Sequence, residues 1–598
     1  MDPSPETEGN PPPPPKSLGA DDLGFTRRGM VSWTSPSQLI GTGAMSLVSG
    51  MFGSFADRRE TLSALGGPPV FDHSADLDEH GEFWFDFMAD TGDGFDSTFT
   101  VASALAAPSL STAHGDLPRG RILVLGGDEV YPTPMRDAYR DRLAGPFGAA
   151  LPWSPPDRAP WLYAIPGNHD WYDGLSAFLR LFCQGRWIGG WRTRQTRSYF
   201  ALKLPRGWWL FATDIQLDSD VDHPQLEFFR DVARNRVGDG DRIVLCTAEP
   251  SWSHQWLGRK DAFRTLAFFE QEVFAASGRK LAASLSGDLH NYHRYERPRD
   301  GLQRVTAGGG GAFLHPTHFL PEGRVELREG RETAPRTEHY EFRGAWPDHA
   351  ASRRIGLRGI ASLLLSKRDP DESPFAPSAL VRSWGFAAVL AVVQLVVAWI
   401  VHSSGPAAVR DPLAWILGLG FLAILLGYCG ATGIRRLVVG AAHFAAQASA
   451  CAIAFLPASA ASALAAESGR AFAAAPAFVL VFLALVFPLS ALVFGLYLYV
   501  FQAWHREELF SFQGIPDWKN FLRLRIRTDG SLEIHPLGIR RAERAWKLST
   551  TGRPGDPWIV PDAGSIVDRV EAIEPPVVIG ASSRRGASAR HTREGDEG

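Results

Sequence analysis

Residues 161–170 read WLYAIPGNHD, and this stretch decides the fold. Its first five residues are apolar, which is the length and composition of a buried β-strand. The run ends abruptly at a proline and a glycine, the residues that mark sharp turns. Asn168, His169 and Asp170 follow directly. Short polar side chains on a sharp turn after a strand can reach into a site at the edge of a sheet.

Other short apolar runs between residues 70 and 345 end in the same way, at polar or glycine-rich turns. Helical stretches lie between several of them, so the sequence predicts an α/β domain over 70–345. In sheets of this kind, functional loops lie at the carboxyl ends of the strands. The other runs are 83–89, 122–125, 208–212, 243–245 and 281–285.

Five segments place metal-ligand side chains just after these predicted strands. Oxygen and imidazole ligands from strand ends are what a site for two divalent or trivalent metal ions requires. Each segment alone is modest evidence, because Gly-Asp after a strand is also common at ordinary turns. All five in this order are hard to obtain by chance. In chain order they are ADTGD (89–93), GDEVY (127–131), GNHD (167–170), CTAEP (246–250) and GDLHNYH (287–293).

This set of segments resembles the calcineurin-like metallophosphoesterase superfamily over about residues 80–315. Within the superfamily, Gly-Asp-x-x-Tyr at 127–131 is similar to the purple acid phosphatase form. The resemblance implies an α/β (α+β) fold in which two mixed β-sheets form a sandwich flanked by helices. It also implies two divalent or mixed-valence metal ions, of Mn, Fe, Mg or Zn. The implied reaction is hydrolysis of a phosphate mono- or diester by a metal-bound hydroxide.

The resemblance assigns a role to most of the polar residues in these segments. Asp90, Tyr131 and His290 match the ligands of the first metal. Asp128 matches the carboxylate that bridges both metals, and Asn168 matches a ligand of the second metal.

Two further residues match catalytic positions of the superfamily. His169 matches the residue that contacts the substrate phosphate and stabilises or protonates the departing oxygen. Asp170 would orient His169 from behind. The resemblance therefore predicts His169 and Asp170 as the catalytic pair.

The sequence departs from the superfamily at two positions that usually hold histidine ligands of the second metal. Glu249 and Asp288 stand there instead. In one interpretation the two carboxylates replace the imidazoles, which gives an oxygen-rich site that suits Mn²⁺ or Mg²⁺ better than Zn²⁺. In the other, the second site is damaged and the domain only binds. His254 and His293 are alternative stand-ins, and ordinary surface or supporting histidines are the other interpretation of both.

A weaker set of candidates lies before the strand predicted near residue 208. Arg192, Arg194 and Arg197 come at short spacing and could hold a phosphate, and a solvated edge explains them equally well. His293 joins them as a weak candidate for contact with the substrate.

Charge is distributed unevenly along the chain of 598 residues, whose formal net charge is −4. Only six charged residues occur between Ser383 and His505. We therefore predict four membrane-spanning helices within 381–504, with Pro457 ending the third and Pro488 kinking the fourth. The uncharged stretches are 383–409, 412–434, 437–466 and 471–505.

Basic residues flank this block and predict its orientation. They cluster before the first span, at Arg435 and Arg436, and after the fourth span, where Arg506, Lys519, Arg523 and Arg525 occur. Because cytoplasmic loops are enriched in Lys and Arg, the sequence predicts a multi-pass cell-membrane protein whose polar parts face the cytoplasm. The chain has four cysteines and an N-terminus without an apolar secretory segment, which agrees with that placement.

The remaining boundaries follow from composition. The segment 29–69 is weakly amphipathic and is either a helix packed on the next domain or an interfacial helix on the membrane. A hairpin is predicted where apolar and basic residues alternate before Asp529 and Gly530. The other parts are a disordered N-terminus over 1–28, a basic connector over 346–380, a small C-terminal region over 505–580 and a disordered tail over 581–598.

The leading hypothesis is a membrane-anchored dinuclear-metal phosphoesterase whose substrate is a phosphate ester. Anchoring hints at a lipid-linked substrate, with membrane lipid as a partner. A catalytically impaired metal- or phosphate-binding sensor coupled to the membrane block is the alternative. A third hypothesis is a transporter with a regulatory phosphoesterase domain. The predicted spans contain few charged residues and no evident ion pathway, which argues against it. The absence of net positive charge gives no support to nucleic-acid binding.

Overall fold

The structure is a computed structural model, and it describes the chain in seven parts. The predicted amphipathic segment lies largely outside these residues, as do part of the basic connector and the predicted tail. The described parts are 11–33, 69–215, 221–331, 334–361, 364, 377–429 and 433–580.

The described residues contain strands in two large sheets and two small hairpins. The strands are β1 (Val70–Asp72), β2 (Phe83–Met88), β3 (Ser109–Thr112), β4 (Gly115–Pro118), β5 (Ile122–Leu125), β6 (Trp161–Ala164), β7 (Trp187–Ile188), β8 (Trp191–Arg192), β9 (Phe200–Leu204), β10 (Trp208–Ala212), β11 (Arg242–Cys246), β12 (Lys280–Ser286), β13 (Tyr292–Arg297), β14 (Leu302–Ala307), β15 (Arg324–Arg331), β16 (Ala334–Trp346), β17 (Lys519–Ile526), β18 (Leu532–Ile539), β19 (Trp546–Leu548), β20 (Ile559–Pro561), β21 (Val570–Ala572) and β22 (Val577–Ile579).

Helices occur between the strands and in the apolar block. They are α1 (Ala20–Leu23), α2 (Phe95–Ala106), α3 (Arg136–Ala138), α4 (Gly145–Ala150), α5 (Ser176–Phe182), α6 (His223–Asn235), α7 (Ser251–Trp256), α8 (Arg264–Phe269), α9 (His349–Arg358), α10 (Pro377–Ser404), α11 (Pro412–Tyr428), α12 (Gly433–Glu467), α13 (Ala474–Val500) and α14 (Glu508–Gln513). Short 3-10 or π-helical segments are Tyr139–Ala144, Asp170–Asp173, Pro205–Gly207, Glu270–Ala275, Gly359–Ala361, Gly405–Arg410, Ala471–Ala473 and Val567–Arg569.

The two large sheets are mixed and pack face to face. The first has the order β1-β9-β10-β11-β12-β14-β13-β16-β15, and the second has the order β21-β18-β17-β2-β5-β6-β8-β7, with β22 also paired to β18. One apolar cluster joins side chains of both sheets, such as Phe85, Phe87, Leu202 and Leu285. Separate clusters lie on the outer faces, where α2, α4 and α5 cover the second sheet and α6, α7 and α8 cover the first. The predicted α/β class with mixed sheets flanked by helices is confirmed.

The parallel strands bring the five sequence segments to one end of the two sheets. Strands β2, β5 and β6 are parallel neighbours in the second sheet. Strands β11 and β12 are parallel neighbours in the first sheet. Parallel strands end at the same edge, so the loops that follow these five strands meet there.

The predicted C-terminal hairpin exists, but it is part of the same folded unit as the α/β region. Strand β17 pairs with both β18 and β2, so the second sheet is completed by residues on the far side of the apolar block. Arg523 and Asp86 form a buried ion pair with a distance of 2.7 Å between Nε and Oδ1. The prediction of a separate small region over 505–580 is therefore wrong, because strand pairing joins segments more than four hundred residues apart.

The C-terminal strands also change the meaning of three basic residues. Lys519 and Arg523 are buried in the second sheet, and Arg525 pairs with Glu82 and Glu533. These side chains balance charges inside the domain. They do not form the free basic flank that the orientation argument assumed, and Arg506 is the remaining member of that group.

The N-terminal residues are more ordered than their composition suggests. Leu23 and Phe25 are buried in the outer core of the second sheet. Backbone Thr26 N and the Arg28 side chain both donate to Asp141. The prediction of disorder over 1–28 is thus wrong for residues 20–28, because two apolar side chains and a buried carboxylate anchor them.

The apolar block contains three helices that are long and apolar enough to cross a membrane within the described residues. The spans are Ala387–Ser404, Gly433–Glu467 and Ala471–Val500, with mean hydropathy values of 2.0, 1.6 and 2.8. The second predicted span, 412–434, corresponds to α11, which is shorter. Pro457 lies inside α12, so the prediction that it ends this helix is wrong, whereas Pro488 lies inside α13 as expected.

Candidate metal centre

Three of the predicted metal ligands have a strained backbone. Asp90, Asp128 and Asp288 follow the ends of β2, β5 and β12, with φ values of 57°, 53° and 65°. Residues other than glycine rarely adopt this left-handed conformation, and such strain concentrates at functional sites. Glycines make room for these carboxylates, because a Cβ on Gly167 would lie 2.0 Å from Asp128 Oδ1. A Cβ on Gly308 would lie 2.2 Å from Asp90 Oδ2.

The predicted ligands of the first metal converge on one phenol. The Tyr131 hydroxyl lies 3.2 Å from Asp90 Oδ1, 3.1 Å from Asp128 Oδ2 and 2.9 Å from His290 Nε2. Within the described ranges, no three His, Cys, Asp or Glu side chains are gathered closely enough to bind a metal ion by themselves. The group that does gather includes tyrosine, so its centre is the Tyr131 oxygen.

The second nitrogen of His290 fixes its tautomer. His290 Nδ1 lies 2.8 Å from the carbonyl oxygen of Phe313, which can only accept, so Nδ1 carries the proton. The unprotonated Nε2 therefore faces Tyr131 and Asp90. Metal-binding histidines usually hold their other N–H in this way, so the geometry fits a ligand role.

Burial and mutual repulsion shift the pKa values at this point. The pKa of Asp90 lies well above its usual value, because the carboxyl is buried and faces Asp128 and Asp288. Burial and the charge of Asp288 raise the pKa of Asp128 to about 7. Burial, helped by the charge of His315, lowers the pKa of His290 well below its usual value. Crowded carboxylates beside a neutral imidazole form a site that a metal cation would stabilise.

Asn168 lies against the other side of Asp128. One end of its amide is 3.0 Å from Asp128 Oδ2 and 3.3 Å from Asp128 Oδ1. With the nitrogen turned toward Asp128, the amide donates to both oxygens. With the oxygen turned toward it, two acceptors face each other and a cation between them would remove the repulsion. The arrangement fits the predicted role of Asn168 as a ligand beside the bridging carboxylate.

His169 is held next to this centre, but not by Asp170. His169 Nδ1 donates to the carbonyl oxygen of Pro132 at 2.9 Å, and its backbone N–H donates to Asp128 Oδ1 at 2.9 Å. Its ring lies 4.5 Å from the Tyr131 ring, centroid to centroid. Burial lowers the pKa of His169. The outward nitrogen, Nε2, is therefore the atom available to a substrate.

Asp170 connects the loops of the site. Its Oδ2 accepts from the backbone N–H of Gly167 at 2.8 Å and of Glu129 at 3.1 Å, and its Oδ1 accepts from the Tyr139 hydroxyl. The prediction that Asp170 orients the His169 ring is wrong, because both carboxylate oxygens are used to join the β5 and β6 loops. Asp170 acts through backbone positions instead.

Asp288 and Glu249, the two carboxylates predicted for the second metal, both act on His254. Asp288 Oδ2 is 2.7 Å from His254 Nε2. Burial would raise the pKa of Asp288, but the hydrogen bond and the charge of His254 outweigh it and lower that pKa. Burial would likewise lower the pKa of His254, and Asp288 together with Glu249 raises it instead. His254 thus belongs to the site, where it contacts the Asp288 carboxylate.

Glu249 also lines a cavity beside the centre. The cavity has a volume of about 300 Å³, and its charged lining residues are Arg259, Lys260 and Arg264 with Glu249 and Asp261. Cationic side chains next to a site rich in carboxylates provide a place for a negatively charged group.

The structure does not bring the weak candidates to this centre. Arg192 and Arg194 stack on the Trp161 ring at 5.3 and 4.5 Å, at the start of β6, whereas the site follows the end of that strand. Arg197 Nη1 donates to the Tyr199 hydroxyl at 3.2 Å. His293 lies inside the first sheet, where its ring nitrogens contact Ser253 Oγ and Asn291 Oδ1, both at 2.8 Å. The predicted phosphate contacts of Arg192, Arg194 and His293 are therefore wrong.

Four further residues lie at the site. Trp33 forms an aromatic wall, with its ring 6.0 Å from that of His169 and 6.5 Å from that of Tyr131. The His315 ring stacks on His290 at 3.8 Å. The remaining two, Lys519 and Glu507, come from the C-terminal side of the apolar block.

Lys519 and Glu507 carry opposite charges next to the centre. Burial lowers the pKa of Lys519 to about 8, opposed by Asp93, Asp517 and Asp90. Burial, Asp288 and Glu508 raise the pKa of Glu507 to about 7. The signal for Lys519 was the alternating pattern of its strand, which marks one side chain in two as inward-facing. The sequence offers no comparable signal for Glu507.

Comparison with known proteins adds no relative to this picture. No protein-family model matches the chain, and no curated protein matches it.

Proposed function

We propose that the protein is a metal-dependent phosphoesterase with the calcineurin-like metallophosphoesterase fold. The observation that carries the proposal is the convergence of Asp90, Asp128 and His290 on the Tyr131 hydroxyl, at the ends of parallel strands. Strained aspartates and a neutral, correctly oriented imidazole support it. Structural carboxylates at turns need neither feature.

The chain offers donors for two metal positions. Asp90, Tyr131 and His290 would hold the first ion, Asn168, Glu249 and Asp288 the second, and Asp128 both. When bound, two ions of Mn, Fe, Mg or Zn would supply Lewis acidity and a nucleophilic water at neutral pH. The oxygen-rich second set suits Mn²⁺ or Mg²⁺.

His169 acts on the substrate. Its Nδ1–H donates to Pro132, so Nε2 is the atom that meets the phosphate ester. A phosphate dianion next to Nε2 favours the protonated ring, whose Nε2–H then donates to the departing oxygen. Asp170 keeps the loops of Gly167 and Glu129 in register, and the basic side of the adjoining cavity accepts a second negatively charged group.

The test uses the purified full chain in detergent with Mn²⁺ and an aryl phosphate. We expect hydrolysis, and we expect His169→Ala to lower kcat by about 10²- to 10⁴-fold, as for other general acids. His80→Ala is the matched control, because His80 is an exposed loop histidine. Absence of hydrolysis of both mono- and diester aryl phosphates, with Mn²⁺, Mg²⁺, Zn²⁺ and Fe²⁺, would refute the proposal.

One contact favours a second candidate, the impaired sensor. The hydrogen bond from His254 occupies Asp288 Oδ2, which the second metal would need. Metal content decides between the two functions. Two ions per chain after equilibration with Mn²⁺ support the phosphoesterase, whereas one ion per chain without hydrolysis supports the sensor.

A further inference from the structure

The candidate metal centre lies directly against the end of the apolar block. His315 stacks on His290, and its neighbour Leu314 is fully buried in a cluster with Ala387, Leu390 and Phe494 of helices α10 and α13. Two consecutive residues, Leu314 and His315, therefore contact the helices and the centre respectively.

Two further contacts fix the centre to the helix ends. His318 Nδ1 lies 2.8 Å from Ser352 Oγ, and His318 Nε2 lies 3.1 Å from Gln502 Oε1, just after α13. A Cβ on Gly495 would lie 1.9 Å from the carbonyl oxygen of Ile360. Only glycine permits this close approach, so the domain and α13 are packed backbone to backbone.

Glu507 lies where the domain meets the helix ends. It lies seven residues beyond Val500, the last residue of α13, and the charges of Asp288 and His254 both act on its carboxyl. The residue as a whole is exposed, whereas its carboxyl is surrounded by protein atoms. Glu507 thus lies at the boundary between the domain and the helix ends, on the side of the centre, and we call this boundary the cleft.

The strand pairing places this cleft at the membrane surface. The chain leaves the domain after residue 361 and rejoins it at β17, which pairs with β2. A chain that returns to the same folded domain crosses a bilayer an even number of times. The described residues contain three long apolar helices, so a fourth crossing would fall to α11, whose 17 residues reach the lower limit for a span.

The surface next to the cleft suits anionic lipid. Helix α9 joins the domain to the helical block and exposes Arg353, Arg354 and Arg358, with Leu357 between them. Exposed arginines beside an apolar side chain are typical of helices that lie on anionic membranes.

We propose that the substrate is a phosphate ester carried by a membrane amphiphile, whose phosphate enters the cleft from the lipid headgroup layer. The proposal rests on the proposed function and narrows its substrate class. A free phosphate ester has the same reacting group, so the decisive comparison is between the lipid and its water-soluble counterpart.

The first test measures hydrolysis by the full chain in mixed micelles with Mn²⁺. Phosphatidic acid and phosphatidylglycerol are compared with glycerol 3-phosphate, glycerophosphoglycerol and an aryl phosphate. We expect one lipid to react at least about tenfold faster than its soluble counterpart, because both components share one surface. Diluting that lipid about tenfold with neutral detergent should lower its rate by a similar factor and leave the aryl phosphate rate unchanged.

The outcomes separate the two proposals. Equal hydrolysis rates for the lipid and its soluble counterpart would overturn the inference about the substrate. A lipid hydrolysis rate that does not change on surface dilution would overturn it as well. Neither result would contradict the proposed phosphoesterase activity. Failure to hydrolyse even the aryl phosphate overturns the proposed function.

A second test does not depend on activity. Photoreactive phosphatidic acid in vesicles with the metal-free full chain should label residues 312–318 and 501–510, and unlabelled phosphatidic acid should compete. Arg353→Glu with Arg354→Glu should reduce this labelling severalfold, whereas the matched pair Arg234→Glu with Arg236→Glu, exposed on α6 and just after it, should not. Labelling confined to the outer faces of α11 and α12 would contradict the proposal.

Discussion

Polar side chains are buried in two regions of this molecule, and the two regions solve the problem differently. At the strand ends, Asp90, Asp128 and Asp288 crowd together on strained backbone, with two of the three pKa values raised. In the helical block, Gln394, Gln447 and Ser490 lie on regular helices and bond one another. The first group is charged and repulsive. The second is neutral and joined by hydrogen bonds between its members, although Gln394 Oε1 has no partner among the described residues.

The difference separates a site from packing. A protein gains nothing in stability from buried carboxylates that repel one another, so such a group persists where a ligand compensates it. Neutral amides and hydroxyls that bond across helices hold a bundle together without a ligand. Helix packing therefore explains the polar cluster of the helical block, whereas the proposed metal site would explain the strand-end cluster.

The largest expected effect concerns a third region, where buried charges are balanced by the protein itself. Arg523 and Asp86 are both buried, and two hydrogen bonds of 2.7 and 3.1 Å join them. Arg523→Leu should lower the free energy of unfolding by about 3–5 kcal/mol, because it leaves an uncompensated buried carboxylate. Thermal unfolding in detergent measures the change.

The matched variant for this pair is the double substitution. Arg523→Leu with Asp86→Leu removes both charges and should recover most of the lost stability. A single variant as stable as the unchanged protein would show that the C-terminal hairpin does not depend on this ion pair. The buried charges of Arg523 and Asp86 would then not stabilise the fold in the way that distinguishes them from the carboxylates at the strand ends.

The next effect tests the repulsive cluster in the absence of metal. Burial and Asp288 raise the pKa of Asp128 in the folded protein to about 7, so the folded state binds a proton that the unfolded state has released above about pH 4. The metal-free protein should therefore lose stability as pH rises from about 4 to about 7, by about 1–3 kcal/mol from this group. Asp128→Asn should flatten that dependence and raise the midpoint of thermal unfolding at pH 7.

Saturating Mn²⁺ should restore the stability that the metal-free protein loses as pH rises, because a ligand that binds only the folded state stabilises it. Asp116→Asn, at an exposed strand residue, is the control and should leave the pH dependence as it is. An Asp128→Asn variant that unfolds more readily than the unchanged protein at pH 7 without metal would show that Asp128 is stabilising, contrary to the comparison.

Local pattern was sufficient for much of the fold and of the site. Each apolar run that ends at a turn became a strand, and Asp90, Asp128, Asn168 and His290 meet because parallel strands share an edge. Hairpin chemistry at Asp529 and Gly530 was also local. These features depend on neighbours in sequence, which is why spacing predicts them.

What the sequence did not predict depends on distant pairing. Strand β17 pairs with β2, although the whole apolar block lies between them in the sequence. The sequence of neither strand indicates which strand it pairs with. Lys519, Glu507 and Trp33 reach the centre only because of that closure and of the packed N-terminus. The choice of Pro132 rather than Asp170 as the partner of His169 is likewise a matter of loop geometry, which composition does not encode.

The smallest expected effect concerns the neutral cluster. Gln447 receives a hydrogen bond from Ser490 Oγ at 2.5 Å and donates to the carbonyl oxygen of Ser490 at 3.2 Å. Gln447→Leu should cost only about 0.6 kcal/mol, because interhelical hydrogen bonds in membranes contribute about that much on average. Aryl phosphate hydrolysis should stay within about twofold, since a change of this size is a small fraction of folding stability. Loss of hydrolysis in a variant that still folds would mean that this cluster is coupled to the centre, and the division between site and packing would then be wrong.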